Sequence, residues 1–426
     1  MNWAEMVNEL SGEDDSLANA FSALSVSRVG KENQDARLVR ESTKIYGKAL
    51  KDMQLALYDP DRMHSDHVLV ASMLLGLYET FESSALDSRS WLSHAQGAAR
   101  LIQLRGPDRH RHRQAHHVFL GSRMPTIYAA IAQRRRTYLA AEDWLTTPWG
   151  SQHRTYFDRL VDLTTRIPGI LEDVDATKLG SANPLTYPRK TELLQEMVKL
   201  QDSLDEWKRG VKKEGVAYFV KYKSTSDHDD YPFEHEIWFN NHLFVNAHVA
   251  YWCCSLALAE TAQKLAADLE SYRLDDSLSP ADHLQSIFRP KEHASCIVQT
   301  MRYCLQPDMA ALGTCIINYP ANSALRFFSQ SKDVPVLKWL AGVFKEMRNR
   351  GLHYNPELLE QPLNALASSQ DAERYALSPS IKTESTETTR SSLKTPQQAE
   401  DRRCITMKFV VEDPSRYYID TSDSVT

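Results

Sequence analysis

Apolar residues in this chain recur at intervals of three and four, and runs of strict alternation are scarce, which restricts the fold more than any other feature. The longest run extends from residue 233 to about 265. There His235, Trp238, Phe239, His242, Val245, Asn246, Val249, Trp252, Cys253 and Leu256 share one stripe, predicting a long helix buried on a wide face. Similar periodicity predicts helices over 36–58, closed by Asp59-Pro60, and from Ser65 or Asp66 to about 78, apolar nearly all round and so central. Others are expected over 91–105, 156–167, 193–207 (before Gly210), 292–305, 310–329 and 334–350, while 172–189 reads as a loop. Only 407–411 alternates like a strand. The expected fold is all-α, a large array of antiparallel-packed helices.

Composition shifts divide the chain into an acidic stretch over 1–35, suited to a flexible arm or a short helix that docks on a partner, a helical domain over 36–365, and a low-complexity tail over 366–426 expected to be disordered. Within the tail, Lys382 in Ile381-Lys382-Thr383-Glu384 has the form of an attachment site for a small ubiquitin-like modifier, a short pattern that chance often supplies. A net charge of -6 argues against a surface that clamps nucleic acid along its bulk. With no long uninterrupted apolar stretch and no basic leader, neither membrane insertion nor secretion is expected. The six cysteines, Cys253, Cys254, Cys296, Cys304, Cys315 and Cys404, lack Cys-x-x-Cys spacing and read as buried thiols; no metal and no cofactor is expected.

Trp91, His94, Ala98, Leu101 and Arg105 recur on one helical face, with Gly97 among them and Gly106-Pro107 as the stop. This segment resembles the regulatory domain of fungal zinc binuclear cluster transcription factors. The resemblance continues through Phe119, Arg123, Ile127, Ala130, Arg134-Arg135-Arg136-Thr137-Tyr138-Leu139, Trp144 and Pro148-Trp149. It covers about 40–150 well and fits loosely to about 360. Such factors carry an N-terminal module of six cysteines holding two zinc ions, and this sequence shows none. Either the chain begins inside a longer product, or it is an auxiliary that docks on a DNA-bound factor.

Arg105, Arg109, His110, Arg111, His112, Arg113, His116 and His117 concentrate positive charge after the Trp91 helix. A metal site is disfavoured by the intervening arginines. A phosphate contact is chemically open to arginine forks but has no aromatic platform. The remaining reading, a solvated loop whose arginines complement helix carbonyls and acids, is preferred. Arg134-Arg135-Arg136 should face solvent or pair with acids, as a structural clamp or a partner contact. His94 is expected to be a core histidine bonded to a backbone carbonyl, packed beside Trp91. The acidic stretch Asp227-His228-Asp229-Asp230 with Glu234-His235-Glu236 lacks calcium-loop spacing and reads as a link and the start of the long helix.

No phosphate loop, nucleophile elbow or zinc-protease pattern is present, so no enzyme is expected. The resemblance implies a nuclear transcription regulator, with service to a secondary-metabolite gene cluster as one expected role. Its implied partners are other transcription factors or coregulators, with a small-molecule effector and a homodimer as further options, and DNA only indirectly or through the missing module. The rival is a helical ligand-binding or interaction protein outside transcription.

Overall fold

The computed structural model describes residues 15–82, 88–178, 186–213, 219–223, 231–270, 284, 286–349 and 364. Its helices are α1 (Asp15–Glu32), α2 (Ala36–Tyr58), α3 (Asp66–Glu82), α4 (Ser88–Arg105), α5 (Arg113–Gln133), α6 (Glu142–Thr146), α7 (Tyr156–Thr164), α8 (Ile167–Lys178), α9 (Tyr187–Lys213), α10 (His242–Glu270), α11 (Pro290–Cys304), α12 (Ala310–Gln330) and α13 (Val334–Asn349). Two strands, β1 (Phe219–Lys223) and β2 (His235–Phe239), form an antiparallel ribbon that pairs Phe219 with Phe239. Among the described residues the architecture is all-α with this one small addition.

Local chemistry sets several boundaries as expected. Asp35 caps α2 by accepting from the Arg37 backbone N–H at 2.9 Å, and Thr155 and Asp158 form a reciprocal capping box at the start of α7. α4 ends at Arg105, where Gly106 adopts φ 77° and ψ 159°. That is the extended, positive-φ region open essentially to glycine alone, rather than a left-handed helical cap. Pro107 then opens a short 3-10 turn, Pro107–His110.

Other expectations are corrected. Residues 15–32, read as a flexible arm or a short helix docking on a partner, form α1, an 18-residue helix of the domain itself whose Leu17, Ala20, Ala23 and Leu24 are buried against α2 and α3. Small residues line its inner face, so close helix approach replaces the large apolar stripe that signals a helix in a sequence. Residues 233–241 do not belong to the long helix. His235–Phe239 is strand: it pairs antiparallel with β1 and lies against α11, with Glu236, Ile237 and Phe239 buried. Residues 156–167 split into α7 and α8. The supposed loop over 172–189 is helical to Lys178, and α9 runs through Gly210 to Lys213.

α3 and α10 each sit at the centre of a packed region. α3 buries Val68, Leu69, Val70, Ala71, Leu74, Leu75, Tyr78 and Phe81 among α1, α2, α4 and α5. α10 buries nearly every described side chain from Phe244 to Ala262, wrapped by α9, α11 and α12. Gly313 of α12 permits that packing: a Cβ there would lie 1.8 Å from the Cys304 carbonyl oxygen. The tail over 366–426, Lys382, Cys404 and the strand-like 407–411 lie outside the described residues.

Candidate functional site: an arginine, histidine and tryptophan cluster

The turn after α4, the start of α5 and the Trp144–Trp149 segment come together around two buried arginines. Arg105 is 8% exposed; it donates to Asp66 at the start of α3 and reaches the Ser65 carbonyl at 3.4 Å. The last turn of α4 is thus tied to the first turn of α3 by a charge-assisted bond. Arg123 of α5 is 2% exposed, pairs with Asp162, and approaches Asp158 at 3.5 Å. Its guanidinium lies over the rings of Phe119 and Trp149, at 5.6 and 5.3 Å from their centroids, and Arg154 covers the Trp149 ring at 5.0 Å. Burial outweighs the attraction of Arg123 and Arg154 and raises the Asp162 pKa.

The histidines fill the space between these rings. His110 is fully buried beside Phe119 and Trp144, and its Nδ1–H donates to the Ala115 carbonyl at 3.2 Å. Desolvation pushes its pKa down to about 4, so the ring is neutral. His116 donates from Nδ1 to the His110 carbonyl at 2.9 Å and meets the Trp149 ring edge-on. The expected solvated loop is therefore corrected for His110 and His116, which are core residues packed among aromatics. Arg109, Arg111 and His112 do face solvent, and Arg111 donates to the Thr147 carbonyl at 3.2 Å. Among the described residues no group of three or more His, Cys, Asp and Glu is arranged to hold a metal ion.

The remaining resemblance residues divide by position. Ala98, Leu101, Trp144 and Pro148 are buried, whereas Gly97 is exposed and a Cβ on it would meet nothing within 4 Å. His94 is only half-buried. It sits where α4 crosses Gly76 of α3, and its pKa is lowered by burial against an opposing pull from Glu79. A fully buried, carbonyl-bonded His94 is thus corrected to a half-buried residue at a helix crossing. The side chain of Trp91 lies outside the described residues.

Arg134, Arg135 and Arg136 lie just past α5 and all pair with α8. Arg134 takes a left-handed conformation (φ 53°), meets Asp175 at 2.9 Å, and reaches Thr261 of α10 at 3.3 Å. Arg135 and Arg136 grip Glu172, whose carboxyl is held down at about 2, first by the Arg136 backbone N–H and then by both side chains. Arg136 also meets Asp173 at 2.6 Å. The clamp reading of this triplet fits these contacts.

A second polar cluster was missed from sequence. Tyr251 of α10 donates to Asp205 of α9 at 2.5 Å, Gln201 donates to the same oxygen at 2.9 Å, and Arg289 approaches Asp205 at 3.5 Å. His293 stacks edge-on to Tyr251, fully buried, with its pKa lowered to about 3 by desolvation. These residues come from three distant segments, so no local spacing announces them. Glu236, expected at a helix start, instead sits in β2 and pairs with Arg302 of α11.

Arg105, Arg123 and Arg154 each pair with a carboxylate from another segment, and burial lowers the pKa of His110 and His116. Such an arrangement orients helices. The chain is 28% identical over 145 residues to the uncharacterized protein AN5342 of Emericella nidulans, a match covering 34% of this chain and 31% of the relative. The matched stretch therefore spans about a third of that relative's length. No solved structure matches the chain. Residues 2–215, which hold α1 to α9 and the whole cluster, match the fungal specific transcription factor domain, and the chain belongs to that family.

Proposed function

We propose that the protein regulates transcription in the nucleus as a non-catalytic helical module, binding other transcription factors or coregulators and meeting DNA through them. Family membership over residues 2–215 carries this reading. The cluster supports it, because Arg105, Arg123 and the Arg134-Arg135-Arg136 triplet are paired with carboxylates of neighbouring helices. Burial also raises the thiols of Cys253, to about 12, and of Cys254 and Cys304, which suits core packing better than nucleophilic chemistry. Service to a secondary-metabolite gene cluster and response to a small effector belong to the same proposal.

Tethering the full chain to a heterologous DNA-binding domain tests it. Reporter output should rise or fall relative to the DNA-binding domain alone, and a fluorescent fusion should collect in the nucleus. An unchanged reporter with a cytoplasmic fusion would instead favour an interaction module outside transcription.

A further inference from the structure

α2 presents two faces of different chemistry. Ser42, Ala49, Met53 and Ala56 are buried toward α1 and α3. On the opposite side, Arg40, Lys44, Lys48, Lys51, Leu55 and Tyr58 follow one another at spacings of three and four, all exposed. Lys44 bonds Glu41 at 2.9 Å; Arg40, Lys48 and Lys51 make no ion pair among the described residues. Seven large apolar side chains are exposed among the described residues; four of them lie on α2, and two of these, Leu55 and Tyr58, continue the cation stripe at its C-terminal end, whereas Leu50 and Leu57 lie to one side of it. Leu55 is 56% and Tyr58 77% exposed. Isolated exposed leucines are ordinary; a concentration of them at the end of a cation stripe, on a chain of net charge -6, is not.

We propose that this face of α2 docks a partner protein through an acidic helix ending in an apolar turn. Charge complementarity decides the occupant. Carboxylates along the partner helix would lie against Arg40, Lys44, Lys48 and Lys51, while apolar side chains in its last turn would cover Leu55 and Tyr58. Cations and apolar residues succeed one another along α2 instead of lying side by side. A rod matches that order, whereas a flat anionic membrane would bring headgroups against the apolar end as well. The proposal deepens the partner-binding reading above and assigns it a surface.

The probe is a fluorescein-labelled synthetic helix with glutamates over three turns and leucines in one terminal turn, titrated with the full chain by anisotropy. Saturable binding is expected, weakening as salt rises. Leu55→Ser with Tyr58→Ser, and separately Lys44→Glu with Lys48→Glu and Lys51→Glu, should each weaken it about tenfold or more. All these side chains are exposed, and thermal melts of both variants should superimpose on the unsubstituted chain. The proposal is overturned by absent binding, by equal binding to the variants, by equal binding of a scrambled peptide, or by preference for phosphatidylserine vesicles. Self-association abolished by Leu55→Ser with Tyr58→Ser would assign the face to a second copy. Peptide binding that appears only after deletion of residues 1–14 would assign it to the chain's own N-terminus. A responsive reporter without peptide binding removes this surface alone; peptide binding with an inert reporter removes the transcriptional role alone.

Discussion

In the first half of the molecule, Arg105, Arg123 and Arg134 reach across helix boundaries to Asp66, Asp162 and Asp175. In the second half, α10 meets its neighbours through Val249, Trp252, Cys253, Cys254 and Leu256, each at most 1% exposed. The two regions share both kinds of contact but weight them differently: buried arginines join the helices around apolar α3, whereas Tyr251–Asp205 and Glu236–Arg302 flank the longer apolar α10. A buried guanidinium takes its partners only in a restricted geometry, so it fixes the angle between helices, and losing one partner strands the other in a low-dielectric setting. An apolar helix binds without direction, so it withstands exchange of side chains of similar volume but not intrusion into its closest contacts.

The sharpest break of this contrast is Arg123→Met. It leaves Asp158 and Asp162 without their buried cation, and urea unfolding should show a loss of about 3–5 kcal/mol. A loss below about 1 kcal/mol would mean that charge does not hold the first half together. Next comes Gly313→Ala in the second half, where the new Cβ would overlap the Cys304 carbonyl. We expect about 2–3 kcal/mol of destabilisation. Gly342→Ala in α13, which meets nothing within 4 Å, should be neutral or stabilising by about 0.5–1 kcal/mol.

Acid should affect both halves. Burial depresses His110 and His248 to about 4 and His293 to about 3, so the unfolded chain binds protons that the folded one refuses. Stability from these rings is complete above the ordinary histidine value and declines as pH falls from about 6.5 toward 4. Each ring should contribute a loss on the order of 1 kcal/mol at pH ~5.5 relative to ~7.5, and His293→Phe should flatten the dependence by one ring's share. An unchanged urea midpoint across that interval would show the imidazoles to be hydrated. The smallest effect is expected for Arg136→Ala. Its side chain is 64% exposed, so despite two carboxylate contacts the melt should show less than about 1 kcal/mol.

Legibility from sequence followed amphipathicity. α2, α4, α11, α12 and α13 lie close to where periodicity placed them: α11, α12 and α13 bury a stripe of medium or large apolar residues, and α2 keeps a regular three-and-four spacing through Ser42, Ala49, Met53 and Ala56. α1 escaped notice because its seam of Ser16, Ala20, Ala23 and Ser27 is made of small residues. β2 escaped because five residues, His235 to Phe239, fit a helical stripe as readily as an alternating one, and the strand they pair with begins 16 positions earlier, at Phe219. At the cluster, Arg105, Arg123, Trp144 and Pro148 were found through family resemblance, but spacing held no hint that His110 and His116 would be buried. Hydrophobicity places a histidine among arginines on the surface; only the converging rings of Phe119, Trp144 and Trp149 reverse that.

By itself the sequence determined the helical character, the boundaries of α2, α11, α12 and α13 and the family, since these depend on periodicity, caps and residue identities that neighbours in the chain carry. Tertiary structure alone decided which polar groups are buried and with whom: Arg123 with Asp162, Glu236 with Arg302, Tyr251 with Asp205, and the outward basic and apolar face of α2. The physical reason is that burial and pairing are properties of the space between segments, and a charged side chain reads the same in sequence whether it meets water or a partner 39 to 66 positions away.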